Sequence, residues 1–377
     1  QCLVGSEMCI RDRYHTFAEV STGKLKKKTE TKKLIYIPAL LALLVLSILL
    51  SASTGQVEIP LSDTFKILME RLFHVKLAGY AEIPSAYFNV VWMIRFPRAL
   101  IAAAVGIGLS LCGIVMQAAV ENPLADPYIL GISSGATLGA TFALMVGVGT
   151  LPLIGQASVS VCAFAGALLA SFLVLFFANI GGHATGAKLV LSGTVINSMF
   201  SAFSNIMIYF ANNAQALQNI TFWIMGSTAS ATWSKVPVIL VIVALTALFF
   251  LTQSNTLNLM LMGEEAATTL GINLTFWRRI YLIIASLITG ILVSGCGMIG
   301  FVGLVIPHIA RAIFGANHRV LTPYTILFGG IFMVLTDLLS RSLVSGSEVP
   351  VGIITAALGA PVFLYMLLKK DYGFGGK

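Results

Sequence analysis

A chain of 377 residues with 57% hydrophobic and only 10% charged side chains cannot clothe itself in an ordinary water-facing surface, which needs about a quarter Asp, Glu, Lys and Arg. With a mean hydropathy of +0.92 it reads as a polytopic membrane protein, and a water-soluble domain is excluded. The net charge of +8 does not point to nucleic acid, because nearly half of the basic residues crowd into the first 33 positions and the last few, a placement that fits membrane topology.

Residues 1–13, QCLVGSEMCIRDR, lack an initiating Met, are too polar for a signal segment and differ in character from the rest of the chain; they read as foreign sequence. Residues 14–33 form a basic tail. Of the five cysteines, Cys112, Cys162 and Cys296 fall in apolar spans and Cys2 and Cys9 in the tail, without CxxC or His-paired spacing, so neither a disulfide framework nor a metal site is expected.

A membrane helix takes roughly 20 apolar residues. That ruler places ten spans near 34–54, 93–117, 131–149, 157–179, 188–211, 234–252, 278–297, 300–314, 322–341 and 350–368, within one membrane domain over 34–370 and a short tail at 371–377. The seventh and eighth are separated only by glycines. Lys24, Lys26, Lys27, Lys28, Lys32 and Lys33 precede the first span, which puts the N-terminus in the cytoplasm, and an even count returns the C-terminus there. Arg278, Arg279, Arg311, Arg319, Lys369 and Lys370 then fall inside as well.

Between the first two spans, Leu61, Phe65, Leu68, Leu72 and Val75 recur at helical spacing, which predicts a helix lying on the outer membrane surface. VVWMIRFPRAL comes next, with Arg95 and Arg98 around Pro97 at the outer mouth of the second span; Arg341 sits at the same depth on the ninth. At that spacing both guanidinium groups can face outward, and three such cations suit either docking of carboxylates or interfacial snorkelling.

In GIVMQAAVENPLADPYILGISSGATLG, the series Gly131, Gly135, Gly139 predicts close helix contact. Gln117, Asn122, Ser133 and Ser134 either line a polar route or bond backbone across helices, the second being favoured. The inner segment 253–277 is expected to hold a short helix across the cytoplasmic face, with Gly263 before it and Gly271 after it. Residues 295–315, GCGMIGFVGLVIPHIARAIFG, read as a broken membrane helix packed at a functional interface, since bilayer hydrocarbon tolerates such backbone only where protein or a cavity surrounds it. Asp337 and Arg341, at i and i+4, are placed to neutralise one another.

GxxxxGK[ST], HExxH, GxSxG and EF-hand patterns are missing, so no catalytic residue is expected. Transport driven by ATP then needs the nucleotide on a partner. An intramembrane enzyme would need paired acids, or a nucleophile with its base, at membrane depth, and neither is found. An ion-coupled secondary transporter is the competing class, but unpaired ionisable groups near the midplane are scarce.

These blocks, in order, are where a resemblance enters: IRFPRAL; ENPLADPYILGISSGA; LSGTVIN with WIMGS; GEEAATTLGINL; GMIGFVGLVIPHIARAIFGANHR; TDLLSRSL; and EVPVGIITAALGAPVF. From about residue 34 to 370 the chain resembles the permease subunits of iron–siderophore, haem and cobalamin ABC importers, the FecCD/BtuC type.

The resemblance implies an all-α fold of ten transmembrane helices with type II ABC importer permease architecture. It further implies a second permease subunit, identical or related, two cytoplasmic ATPases that hold ATP and magnesium, and an external binding protein. Arg95, Arg98 and Arg341 would meet acidic residues of that binding protein. Gly263, Glu264, Glu265, Ala266, Leu270 and Gly271 fall on the segment that contacts the ATPase.

The fifth span carries Ser192, Gly193, Asn197, Ser201 and Asn205. In the resembling family this helix lies along the translocation path; by the residues alone, core packing fits nearly as well. Ferric siderophore is the expected cargo, with haem and cobalamin as alternatives, and a prokaryotic cell membrane is the expected location.

Overall fold

A computed structural model describes residues 34–146, 158–180, 185–211, 213–262, 269, 272–344 and 346–368. Among them the chain forms thirteen helices, counting Ser85–Ala119 as one, and no strand. They are α1 (Ile37–Ser53), α2 (Leu61–Phe73), α3 (Ser85–Ala119), α4 (Ile132–Val146), α5 (Ser158–Asn179), α6 (Gly186–Tyr209), α7 (Ala214–Ile224), α8 (Val236–Thr252), α9 (Ser254–Met260), α10 (Leu274–Cys296), α11 (Val302–Phe314), α12 (His318–Ser342) and α13 (Val351–Leu368).

Every span read from the sequence coincides with one helix, leaving α2, α7 and α9 between spans. Five of the ten, α3, α5, α6, α10 and α12, are long and apolar enough to cross a bilayer alone, and α8 makes a sixth with α9 across a 65° bend. The remaining four, α1, α4, α11 and α13, are shorter apolar helices.

α3 is the axis of the bundle. Its run of Ala and Gly lets neighbouring backbones come in close: a Cβ on Gly113 would stand 1.8 Å from the Gly303 carbonyl of α11, and one on Gly106 would stand 2.0 Å from that of Gly329 on α12. Near its start Pro97 has no N–H to donate, and residues 89–95 open into a π-helical turn that absorbs the lost bond. α10, α11 and α12 surround α3, α1 packs on α12, and α4, α5 and α6 form a flank.

In that flank Gly135 faces the Gly166 carbonyl and Gly139 that of Cys162, so the predicted glycine contact is the α4–α5 crossing. Gly131 serves differently: at φ +73° it ends the 3-10 turn Pro127–Leu130 in a left-handed conformation.

The surface helix predicted between the first two spans is present as α2, but its inward face is Thr64, Ile67 and Leu68, while Phe65 and Leu72 of the predicted stripe are exposed. Val75 lies past the helix, which ends at His74 in the left-handed region. Only Leu68 of the stripe is shared by both faces. The exposed apolar side suits a helix resting against lipid.

Candidate functional site: two bundle ends and the polar face between them

At one end of the bundle the three predicted arginines come together, each only 5% exposed. Their guanidinium groups turn inward, not outward as the spacing alone allows. The reason lies in what faces them. α1 ends here, and the last carbonyls of a helix have no partner of their own; they also form its negative pole. Arg95 donates to the carbonyls of Ser53 and, at 2.5 Å, Val57. Arg341 donates to the Ser51 carbonyl at 2.9 Å, its Oγ at 2.7 Å and the Thr54 carbonyl at 3.3 Å.

Asp337 supplies the countercharge. Fully buried, it pairs with Arg341 at 3.2 Å, as the i, i+4 spacing predicts, and accepts a bond from Arg98 Nε at 2.9 Å. Thr228 Oγ1 donates to it as well. Arg98 reaches on to Glu348 Oε2 at 2.7 Å, a carboxylate whose side chain is 43% exposed. Arg341 alone also lines an open cleft of about 460 Å³ with Thr54, Gln56 and Glu58.

The break between α10 and α11 is what the glycines predict. Gly297 (φ +71°) and Phe301 (φ +67°) bracket a non-helical stretch, and its polar backbone is satisfied from other elements. Ser227 N donates to the Cys296 carbonyl at 2.7 Å, Ser230 Oγ to that of Gly295 at 3.0 Å, and Tyr128 Oη to that of Ile299 at 3.0 Å. Gly352 at the start of α13 packs against the carbonyls of Met225 and Met298. Protein groups thus satisfy part of this irregular backbone, as bilayer physics requires, while Gly295 and Gly300 face open space. Tyr128 escaped the sequence reading; its place within DPYILG is the signal that could have found it.

At the opposite end, Arg311 donates to Gln117 Oε1 at 2.7 Å, and Arg278 to the Ala119 carbonyl at 2.8 Å and Glu121 Oε1 at 2.6 Å. Ser134 donates to Asn197 Oδ1 at 2.7 Å, whereas Asn122 caps its own turn through Leu124 N. Gln117 and Ser134 therefore bond across helices. Asp126 accepts from Tyr128 N at 2.8 Å, and burial pushes its carboxyl up to about 6 against that bond. Gly263, Glu264, Glu265, Ala266, Leu270 and Gly271 lie outside the described residues, as do 1–33 and 369–377.

α6 joins the two ends. It buries Leu189, Gly193, Ile196, Phe200 and Ser204, and the side opposite them is exposed among the described residues. At about 100° per residue, Thr194, Ser198, Ser201 and Asn205 fall within an arc of about 60° on the uncovered side; all four are exposed. Thr194 and Ser198 return their hydroxyls to their own helix, and Ser201 and Asn205 have no side-chain bond among the described residues. Of the four sequence candidates, Ser201 and Asn205 share this stripe, Asn197 turns toward Ser134 of α4, and Ser192 lies on the other side of the helix. Thr194 and Ser198 are the members that sequence reasoning passed over, although their four-residue spacing announces them.

The FecCD transport family matches over residues 43–369, most of the chain. This chain belongs to the FecCD transport family. It is 39% identical to YvrB of Bacillus subtilis, an uncharacterised ABC transporter permease protein, over 88% of this chain and 92% of that one. It is also 39% identical to BtuC of Halobacterium salinarum, a cobalamin import system permease protein, over 77% of this chain and 76% of the relative.

A solved structure described as an inward-facing conformation of a metal-chelate type ABC transporter superposes with a TM-score of 0.74 at 30% identity, covering 89% of this chain and 99% of that one. The FecCD chain is accordingly a multi-pass, all-α ABC importer permease of type II architecture.

Proposed function

We propose that this permease carries a ferric siderophore across a prokaryotic cell membrane, receiving it from an external binding protein and driven by ATP hydrolysis on partner subunits. The observation that carries the reading is the polar stripe of α6. Amides and hydroxyls facing hydrocarbon go unsatisfied at a cost of a few kcal/mol each, so Ser201 and Asn205 belong against a hydrated path, not lipid. A second permease subunit, identical or related, sets an equivalent face opposite. Uncharged hydroxyl and amide groups offer a bulky chelate weak contacts that let it pass.

In this reading Arg341, through its cleft, accepts an acidic side chain of the binding protein, while Arg95 and Arg98 hold the floor of that cleft in place. Residues 263–271 take up the motion of two cytoplasmic ATPases, which carry the ATP and its magnesium; the permease itself has no catalytic residue. Both of its termini face the cytoplasm. Closure of the ATPases switches the bundle between outward and inward openings.

Cobalamin is the second reading, favoured by relatives named for cobalamin and vitamin B12 import. Haem is a third cargo of the same kind. ATP-dependent uptake of labelled ferric siderophore into proteoliposomes tests the proposal, using the permease with its neighbouring ATPase and binding protein. Uptake that requires all three supports it. Uptake of cobalamin or haem in place of siderophore refutes the cargo and keeps the mechanism, whereas uptake by the permease alone on an ion gradient refutes the mechanism.

A further inference from the structure

Between α5 and α10 lies an open groove of about 650 Å³. Leu168, Phe172, Leu175, Phe176, Ile283 and Leu287 give it apolar walls. Its two serines add no polarity, because Ser171 Oγ donates to the Ala167 carbonyl at 3.0 Å and Ser286 Oγ to that of Leu282 at 2.7 Å. Hydrocarbon is the only chemistry those walls accept.

One end is different. The groove closes at Asn179, Ile180 and Arg279. Arg279 is exposed, pairs with no carboxylate among the described residues, and is held over the groove by a 2.8 Å bond from Nη2 to Asn179 Oδ1, a neutral partner that leaves its charge uncompensated. Lys188 Nζ stands at the same end, 3.4 Å from the Ile180 carbonyl. Arg279 thus stands at the mouth of a hydrocarbon slot, with the Lys188 ammonium beside Ile180, one of its lining residues.

Its length selects the occupant. From Leu168 to Ile180 α5 rises about 18 Å at 1.5 Å per residue. Half of a hydrocarbon core about 30 Å thick is about 15 Å, so the groove spans one leaflet, from headgroup depth to near the midplane. We propose that it binds an anionic phospholipid, with one acyl chain along Phe172, Phe176 and Ile283 and its phosphate on Arg279, assisted by Lys188. A lipid so placed braces α5 against α10 just where α10 begins, at the end of the bundle that holds Arg278 and Arg311. A zwitterionic lipid fills the slot with its chain but gains less from the two cations.

The test reconstitutes the full chain, with the subunits that accompany it, in nanodiscs of equimolar phosphatidylglycerol and phosphatidylcholine. Lipid retained on the protein after mild detergent extraction is then counted by native mass spectrometry. Phosphatidylglycerol is expected to be retained in preference. Interfacial cations are each worth about fivefold, so R279Q lowers that preference about fivefold without changing the melting temperature. R279K keeps it, and S286F, which fills the slot, lowers retention of both lipids. Equal retention of the two lipids by the wild type overturns the proposal, as does an unchanged preference in R279Q. A polypeptide that crosslinks to a photoreactive residue placed at Phe172 overturns it too, since the slot then belongs to a protein partner.

Discussion

α3 and α6 are both long apolar helices of one bundle, yet 89% of the apolar window of α3 is buried within the chain against 28% of that of α6. The difference tracks side-chain size and polarity. α3 spends its glycines and alanines on backbone contact with α11 and α12 and has no face left over. α6 packs one narrow face and leaves a polar stripe and an apolar strip uncovered. A bundle made only to be stable would not leave hydroxyls and an amide there, so the uncovered part of α6 is where function is to be sought, and α3 is what holds it in position.

The comparison is broken most severely at the charges near the head of α3. Asp337→Ala leaves Arg98 and Arg341 without their shared buried carboxylate, and removing one partner of a buried ion pair costs about 3–5 kcal/mol. Thermal melting of the detergent-solubilised protein should show a large drop.

Gly113→Val comes next, because its first added carbon lands on the Gly303 backbone; overpacking of this kind costs about 1–3 kcal/mol. Melting falls and helix insertion persists. Asn205→Leu sharpens the contrast from the other side. It changes stability by no more than about 0.5 kcal/mol, as exposed positions do, while chelate uptake into proteoliposomes falls. Retained uptake would remove Asn205 from the path. Glu348→Gln leaves uptake intact and lowers the melting temperature only slightly, since its carboxylate is half in water and the lost pair with Arg98 is worth about 1 kcal/mol or less.

Hydropathy made the ten apolar helices legible as segments, although among the described residues only five of them, or six with α8 and α9 joined, are long and apolar enough to cross a bilayer. It missed α7 and α9, which are short, carry polar residues and lie between spans. The glycine reading succeeded where helices cross, at Gly135 and Gly139, and the Asp337 to Arg341 pair followed from its spacing. The inward turn of the arginines was not legible, because it depends on the unpartnered carbonyls at the end of α1, which only the fold brings beside them. Likewise Arg98 and Asp337 are 239 positions apart in sequence, and no local pattern joins them. The stripe on α6 was half visible: four-residue spacing identified the helix, but which polar residues share its free side depends on the face that Leu189, Ile196 and Phe200 bury.

The most direct test of the account is thiol labelling of α6 in the assembled importer, in a background where all five native cysteines are replaced. Ser198→Cys, Ser201→Cys and Asn205→Cys should react with a charged, water-borne methanethiosulfonate and be protected when the chelate is trapped in transit, whereas Val195→Cys and Phe203→Cys stay unreactive. Equal reactivity around the helix, or none along the stripe, would contradict the claim that this face lines the path.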